Sequence, residues 1–274
     1  MLMKNKKAWI WRAPLLLVIL LVYCSPFYIL LGISFKPVTD VSSHWKFPSI
    51  PTLENFRVAI EQGNIFTALK NTALISVIVV LLIIAVSSLA AYPLARNRSK
   101  WNNLIKSFIL GIMMVPPLSI LVPLYSILVD MGGINEYWGI ILILLTYELP
   151  QAIFLYTNFI RSIPEALDEA AALDGCGPVR TFFYIVLPQL KSVTASVIIL
   201  TGIHCWNDYQ FSLYVLQSSK MNTITLAISS FFSQTTSNLH AASAAALLAI
   251  LPVVIVFLFL QKYFIKGMVD SAIK

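Results

Sequence analysis

Long apolar segments alternate with polar segments along the whole chain. Six of the apolar segments have roughly the twenty residues that an α-helix needs to cross the hydrocarbon core of a bilayer. They lie at residues 13–33, 71–94, 104–128, 137–159, 192–216 and 241–263. The pattern predicts an all-α integral membrane protein with six transmembrane helices, forming a single transmembrane domain over residues 1–274.

Prolines in the third and fourth predicted spans bear on the geometry of those helices. The third span contains Pro116, Pro117 and Pro123, and the fourth contains Pro150. Because a proline inside a helix removes a backbone hydrogen bond, we expect the third span to kink. Its freed carbonyl groups then need neighbouring helices, so this span is predicted to lie inside a bundle.

The polar segment 161–188 separates the fourth and fifth predicted spans. Ser162 and Glu165 have the spacing of a capping box, which predicts a short helix that starts near Ser162. Gly175 and Gly177 end that helix before a second amphipathic run. The small alanine side chains of the first helix allow another protein to approach closely. The segment is therefore predicted to be a helix-turn-helix docking element.

The same segment contains Glu169-Ala170-Ala171, then Gly175 after three residues, Ile185 after nine more, and Leu187-Pro188 after one more. This spacing resembles the EAA loop of permease subunits of ATP-binding-cassette importers. An amphipathic loop without a binding partner is the alternative, but so many residues at the spacing of the family motif rarely occur together by chance. The resemblance implies that a partner ATPase docks here, on residues Glu169, Ala170, Ala171, Asp174, Gly175, Ile185, Leu187 and Pro188.

The composition agrees with a membrane protein. Hydrophobic residues make up 58% of the chain and charged residues 11%, with a mean hydropathy of +0.82. The net charge of +7 does not indicate nucleic-acid binding, because the basic residues are scattered beside the apolar segments. Most of them fall in alternate loops, which predicts that both termini and residues 161–188 are cytoplasmic. The first apolar segment is too long for the core of a signal peptide and no small-residue cleavage site follows it, so this span is predicted not to be cleaved.

The chain has no recognisable catalytic or metal site. It lacks the Gly-Lys dipeptide of a Walker-type phosphate loop, so it is predicted not to be an enzyme and to use ATP and Mg²⁺ bound by a partner ATPase. Its three histidines lie in separate segments, and its three cysteines have no metal-ligand spacing. We expect no cofactor and no metal on this chain.

Several polar residues lie within predicted spans, where a charge is costly. Glu148 is in the fourth span, and His204, Asn207 and Asp208 are in the fifth, so they should face a cavity or a partner helix. Hydrogen bonds between helices explain them as well as solute contact does.

The sequence Trp206-Asn207-Asp208-Tyr209 resembles a signature of the carbohydrate-importing branch of these permeases. Aromatic rings can stack on sugar faces, although packing is their more usual role within a span. The candidate solute pathway comprises Tyr147, Glu148, His204, Trp206, Asn207, Asp208 and Tyr209.

The resemblance as a whole implies the type I importer fold, of the maltose-transporter type, in a bacterial inner or plasma membrane. In that family a second homologous permease completes a heterodimer, two ATP-binding subunits supply energy, and an extracellular lipid-anchored or periplasmic solute-binding protein delivers a sugar, here expected to be an oligosaccharide. Segment 217–238 would reach the binding protein, and tail 266–274 would lie near the ATPases.

Two other classes of protein remain as alternatives. In an ion-coupled secondary carrier, Glu148 and Asp208 would be proton or cation sites, but the EAA-like loop would have no role. A membrane enzyme with a buried acidic centre would need a cluster of chemically active side chains that the sequence does not provide.

Overall fold

The computed structural model describes residues 6–232 and 238–272, with side chains described for residues 12–232, 238–259 and 261. Helices account for almost all of the regular structure in this part of the chain. They are α1 (Lys6–Ser34), α2 (Glu54–Gln62), α3 (Ile65–Arg96), α4 (Lys100–Ile112), α5 (Pro117–Asp130), α6 (Tyr137–Ser162), α7 (Ala166–Leu173), α8 (Pro178–Thr181), α9 (Lys191–Asn207), α10 (Gln210–Val215), α11 (Ile224–Ser229) and α12 (Leu239–Ala272).

The described residues contain five helical segments that are long and apolar enough to cross a membrane, or six if α4 and α5 count as one bent span. The five are Arg12–Ser34, Ile65–Arg96, Tyr137–Ser162, Pro178–Asn207 and Leu239–Phe259. The predicted all-α membrane fold is therefore confirmed. The cytoplasmic position of both termini stays a prediction, and residues 1–5, 273 and 274 lie outside the described part of the chain.

The third predicted span is not one kinked helix. Helices α4 and α5 meet at an angle of 99° across a break at residues 113–116. Pro116 has extended backbone angles, and Pro117 occupies the first turn of α5. Two consecutive prolines each lack an N–H donor and also exclude the residue before them from helical geometry, which explains a full break where a kink was expected.

The fifth predicted span, 192–216, has different limits in the structure. Its helical segment begins at Pro178, runs through a π-helical turn (Phe182–Val186) and a 3₁₀ turn (Leu187–Leu190), and ends at Asn207. The second amphipathic run of segment 161–188 is therefore continuous with the span. Of the predicted outer segment 217–238, residues 233–237 are outside the described part.

The chain divides into two compact units, residues 1–65 with 227–251 and residues 66–226 with 252–274. A single domain over the whole chain stays a prediction.

In the first unit, the loop after α1 is wound around the buried side chain of Lys36. The Lys36 ammonium group donates hydrogen bonds to the carbonyl oxygens of Ser42 at 2.9 Å and Ser43 at 3.0 Å. The Asn55 amide of α2 donates to the carbonyl oxygens of Ser34 and Lys36 at 2.9 Å and 2.8 Å. Backbone carbonyls thus compensate the cost of burying this cation.

In the second unit, α3, α6 and α9 pack around one apolar core. Each helix contributes β-branched or leucine side chains that are almost fully buried, and the Tyr156 hydroxyl of α6 donates to or accepts from Thr194 of α9 at 2.9 Å. The central residues of this core are Ile75, Val79, Ile83, Ile140, Ile143, Leu144, Val193 and Val197. The core fixes α6 and α9, between which segment 161–188 lies in the chain.

Candidate functional site

The capping box predicted at Ser162 is not formed, and the short helix does not start there. Helix α6 continues to Ser162, whose hydroxyl donates to the Phe159 carbonyl of its own helix at 2.7 Å. The chain leaves helical geometry at Ile163, whose ψ of 128° is the extended value favoured before Pro164. The short helix α7 begins only at Ala166.

The predicted end of that helix is confirmed in detail. Gly175 has a φ of +78°, the left-handed conformation. Its N–H donates to the Ala172 carbonyl at 3.0 Å, and the Cys176 N–H donates to the Ala171 carbonyl at 2.9 Å. These two bonds are those of a Schellman motif, which satisfies the free carbonyl groups at a helix end.

Helix α7 presents most of its EAA-like residues to the surroundings. Glu169, Ala170 and Asp174 are exposed, whereas Ala171 is buried. The Leu173 side chain is 90% exposed although it is apolar. An apolar and acidic surface on a short helix, with a small residue at its centre, is suited to contact with another protein.

The remaining EAA-like residues lie where the helix after α8 is irregular. Ile185 is half-buried in the π-helical turn. Leu187 packs against the core, and Pro188 is exposed in the 3₁₀ turn that follows. The chain thus stays helical between α8 and α9 but leaves α-helical geometry at this part of the motif, where Pro188 also lacks an N–H donor.

A cluster that was not expected from sequence holds α7 in place. The Arg96 guanidinium at the end of α3 lies 2.7 Å from the Asp168 carboxylate of α7. It also donates to the carbonyl oxygens of Ile160 and Ile163, at 3.1 Å and 3.0 Å, at the end of α6. The only sequence signal was a basic residue after the second span, which we used for orientation alone.

Glu148 and His204 form a pair between α6 and α9. The Glu148 side chain is 4% exposed, and its two carboxylate oxygens lie 3.2 Å and 3.1 Å from Nδ1 of His204. The His204 side chain is 50% exposed. The buried Glu148 carboxylate is thus paired with a histidine whose side chain is itself half-exposed.

Asn207 and Asp208, two further candidates for the solute pathway, form hydrogen bonds with groups close to them in sequence. The Asn207 amide donates to the Ile203 carbonyl of its own helix at 2.9 Å. The Asp208 carboxylate accepts hydrogen bonds from the N–H groups of Phe211 and Ser212 at the start of α10. This capping explains why the helix ends at Asn207 and not at residue 216.

The three aromatic candidates lie in different surroundings. Trp206 lines an apolar cavity of about 690 Å³ between α3, α9 and α12. Tyr147 lines a second cavity of about 320 Å³ beside the break between α4 and α5 and also packs edge-on against Phe211, with ring centres 5.4 Å apart. Tyr209 is exposed.

Thr146 and Gln151 line the second cavity with Tyr147 and were missed by the sequence analysis. Nothing in their spacing marks them, because the cavity depends on the break in the third span. Within the described residues, no group of three or more His, Cys, Asp or Glu side chains could hold a metal ion. The absence of a cofactor stays a prediction.

The fold matches that of chains in solved bacterial ABC transporters. The chain is similar to a solved bacterial ABC transporter involved in the import of the acidic polysaccharide alginate, with a TM-score of 0.80, 20% identity, and coverage of 96% of this chain and 98% of that one. It is also similar to a bacterial alginate ABC transporter solved in complex with an alginate pentasaccharide-bound periplasmic protein, with a TM-score of 0.70, 18% identity and 93% coverage of each chain. At these identities the likeness establishes the fold alone.

Sequence similarity identifies the family. Residues 83–270 match the binding-protein-dependent transport system inner membrane component. The chain is 45% identical, over 250 residues and 91% of each protein, to the melibiose/raffinose/stachyose import permease protein MelC of Bacillus subtilis (strain 168). The chain therefore belongs to the family of inner membrane components of binding-protein-dependent transport systems.

Family membership confirms the predicted permease subunit of an ATP-binding-cassette importer. The chain is a multi-pass protein of a bacterial cell membrane. An ion-coupled secondary carrier has no support among these similar proteins. Resemblance to the maltose-transporter type in particular stays a prediction.

Proposed function

We propose that this chain forms, with a second homologous permease, the membrane pathway through which an ATP-binding-cassette importer takes up an oligosaccharide. The observation that carries the proposal is the EAA-like surface of α7, displayed on a short helix in a chain 45% identical to a sugar import permease. The chain itself catalyses no reaction. Two partner ATP-binding subunits bind ATP and Mg²⁺ and drive the transport cycle.

The first candidates for the solute are melibiose, raffinose and stachyose. These are the sugars in the name of the relative MelC, whose similarity covers 91% of this chain. An extracellular solute-binding protein, lipid-anchored or periplasmic, delivers the sugar to the pathway. The similarity in fold to a transporter crystallised with its periplasmic protein supports this arrangement.

The solute pathway follows the face of α6 that carries Thr146, Tyr147 and Gln151. These residues supply an aromatic ring, a hydroxyl and an amide beside a cavity of about 320 Å³, which is near the lower limit for small-molecule sites. A neutral sugar needs such a combination of ring stacking and hydrogen bonding. The Glu148–His204 pair is a further polar element between the two helices that flank α7 in sequence.

Coupling to the ATPases occurs at α7 and the irregular segment after it. Glu169 and Asp174 orient the partner by charge, Ala170 and Leu173 make close contact, and Gly175 fixes the end of the helix. The turn that carries Ile185, Leu187 and Pro188 lets this contact move relative to the fifth span.

The test is uptake of radiolabelled melibiose, raffinose and stachyose by cells whose only import system of this kind contains this chain or a variant. Glu169→Lys reverses an exposed charge on α7, and Asp130→Lys makes the same change at the end of α5 as a matched control. We expect the first variant to abolish uptake at normal membrane abundance and the second to retain it. Full uptake by Glu169→Lys, or loss in both variants, contradicts the proposed coupling surface.

A further inference from the structure

We propose that Arg96 is a positioning residue that clamps α7 to the end of α3, so that movement imposed on α7 reaches the membrane through α3. The clamp consists of Arg96, Asp168 and Tyr92. The inference rests on the proposed function, since it takes α7 to be the element that a partner ATPase moves.

One guanidinium group joins three elements. Nη2 of Arg96 lies 2.7 Å from Asp168 of α7, an ion pair without hydrogen-bond geometry, and Nη1 donates hydrogen bonds to the carbonyl oxygens of Ile160 and Ile163. The planar fork of arginine suits several simultaneous contacts of this kind, which a lysine cannot reproduce. A cation at these carbonyls also complements the negative end of the α6 dipole.

Tyr92 gives the clamp a second point of attachment on α3. Its hydroxyl donates to the other carboxylate oxygen of Asp168 at 2.6 Å. Its ring packs against Phe182, at the start of the π-helical turn, with ring centres 5.6 Å apart. Asp168 is thus held by two side chains one turn apart on the same helix, which resists rotation of α7 about either contact.

Shielding from solvent distinguishes the clamp from a nearby ion pair. The Arg96 and Asp168 side chains are 13% and 18% exposed, whereas Arg98 and Glu165, 3.1 Å apart, are 83% and 52% exposed. An exposed pair of this kind contributes little because water and salt screen it. The second pair is therefore a matched control for the first.

The chain itself connects α7 less directly to its neighbours in sequence. Before α7, the backbone is extended at Ile163 and continues through Pro164. After α7, the chain passes through the left-handed Gly175 and then the π and 3₁₀ turns. Both covalent routes leave regular α-helical geometry, whereas the side-chain clamp joins α7 to α3, which stays helical through Pro93 to Arg96.

The first test measures sugar transported per ATP hydrolysed by the complete reconstituted transporter. Asp168→Asn removes the charge that Arg96 binds, Arg96→Lys keeps the charge but loses the fork, and Glu165→Gln breaks the exposed control pair. We expect the ratio to fall about fivefold or more in the first two variants, near the lower end of typical coupling between sites, and to stay unchanged in the control. A general loss of assembly lowers transport and ATPase activity together and leaves the ratio unchanged.

The second test follows distances between spin labels in the complete transporter, with the three native cysteines replaced by alanine. One label pair joins α7 to α3, at Ala172→Cys and Leu89→Cys, and the other joins α7 to α9, at Ala172→Cys and Lys191→Cys. Between the nucleotide-free and ATP-bound states, we expect the distance from α7 to α3 to stay constant and the distance from α7 to α9 to change. Adding Asp168→Asn should broaden the distribution of distances between the labels on α7 and α3.

Two outcomes overturn the clamp. One is an α7 to α3 distance that changes as much as the α7 to α9 distance, and the other is a normal transport ratio in Asp168→Asn. If Glu169→Lys abolishes uptake while either of these outcomes is found, the clamp fails and the proposed coupling surface stands. If Glu169→Lys leaves uptake intact, the proposed coupling surface fails, and if the unaltered chain supports no sugar uptake, the proposed function itself fails.

Discussion

Replacing Gly175 tests whether the end of α7 must be fixed for transport. Gly175 has a φ of +78°, and a side chain added at this position would meet no atom within 4 Å in this chain. Gly177, two residues later, also has open space around it but has an ordinary φ of −76°. Gly175→Ala therefore introduces backbone strain without a clash inside this chain, and Gly177→Ala introduces neither.

The expected cost follows from that difference. The left-handed conformation costs an L-residue about 1–2 kcal/mol relative to glycine. A free energy of that size shifts the equilibrium between an ordered and a disordered end of α7 by roughly 5- to 30-fold. Uptake should fall by up to that factor in Gly175→Ala and remain near normal in Gly177→Ala.

A third variant separates backbone strain from contact with a partner. Asparagine tolerates the left-handed conformation better than alanine but is larger. If strain is the cause, initial uptake rates corrected for membrane abundance should be higher in Gly175→Asn than in Gly175→Ala. The reverse order would indicate steric contact with the ATPase, and normal uptake in Gly175→Ala would refute the conformational reasoning.

Three further predictions concern other parts of the chain. Single cysteines at the exposed positions Val41 and Lys100 should react with impermeant reagents from opposite sides of the membrane, and labelling of both from outside would refute the predicted topology. Glu148→Gln should keep abundance and uptake because its amide can still bond to the neighbouring histidine, whereas Glu148→Lys should reduce abundance by burying an unpaired cation; a strict need for the carboxylate would contradict this. Lys36→Met should destabilise its loop by about 3 kcal/mol, the sum of two hydrogen bonds from a charged donor; faster chymotrypsin cleavage of the loop should reveal it, with the exposed Lys46→Met as the control that should behave like the wild type.

The features that could be predicted from the sequence depend on local chemistry. A continuous apolar segment of about twenty residues forms a helix in a bilayer, because a helix satisfies the backbone hydrogen bonds within the segment itself. A glycine at the end of a short alanine-rich helix favours a left-handed cap, and Gly175 adopts one. Residues close in sequence decide these features, so the pattern alone was sufficient.

The features that were missed depend on competition between two local structures for the same residue, or on contacts between residues far apart in sequence. Ser162 fits a capping box, but the same serine fits the last turn of α6, and Pro164 places the break after it. The Asp208 carboxylate caps α10, a local role that its place in an apolar segment did not indicate, and its part in the solute pathway stays a prediction. Arg96 and Asp168 meet only because the fold brings the end of α3 beside α7, and no spacing in the sequence indicates that contact.

The central claim is that ATP held by a partner drives sugar uptake through this chain. The most direct measurement is uptake of labelled raffinose into proteoliposomes that contain this chain, its partner permease, the ATPase subunits and the binding protein, without ion gradients. Uptake is predicted to occur only with ATP and the binding protein, and to cease when a non-hydrolysable analogue replaces ATP. Uptake driven by an imposed proton or sodium gradient without ATP would contradict the account.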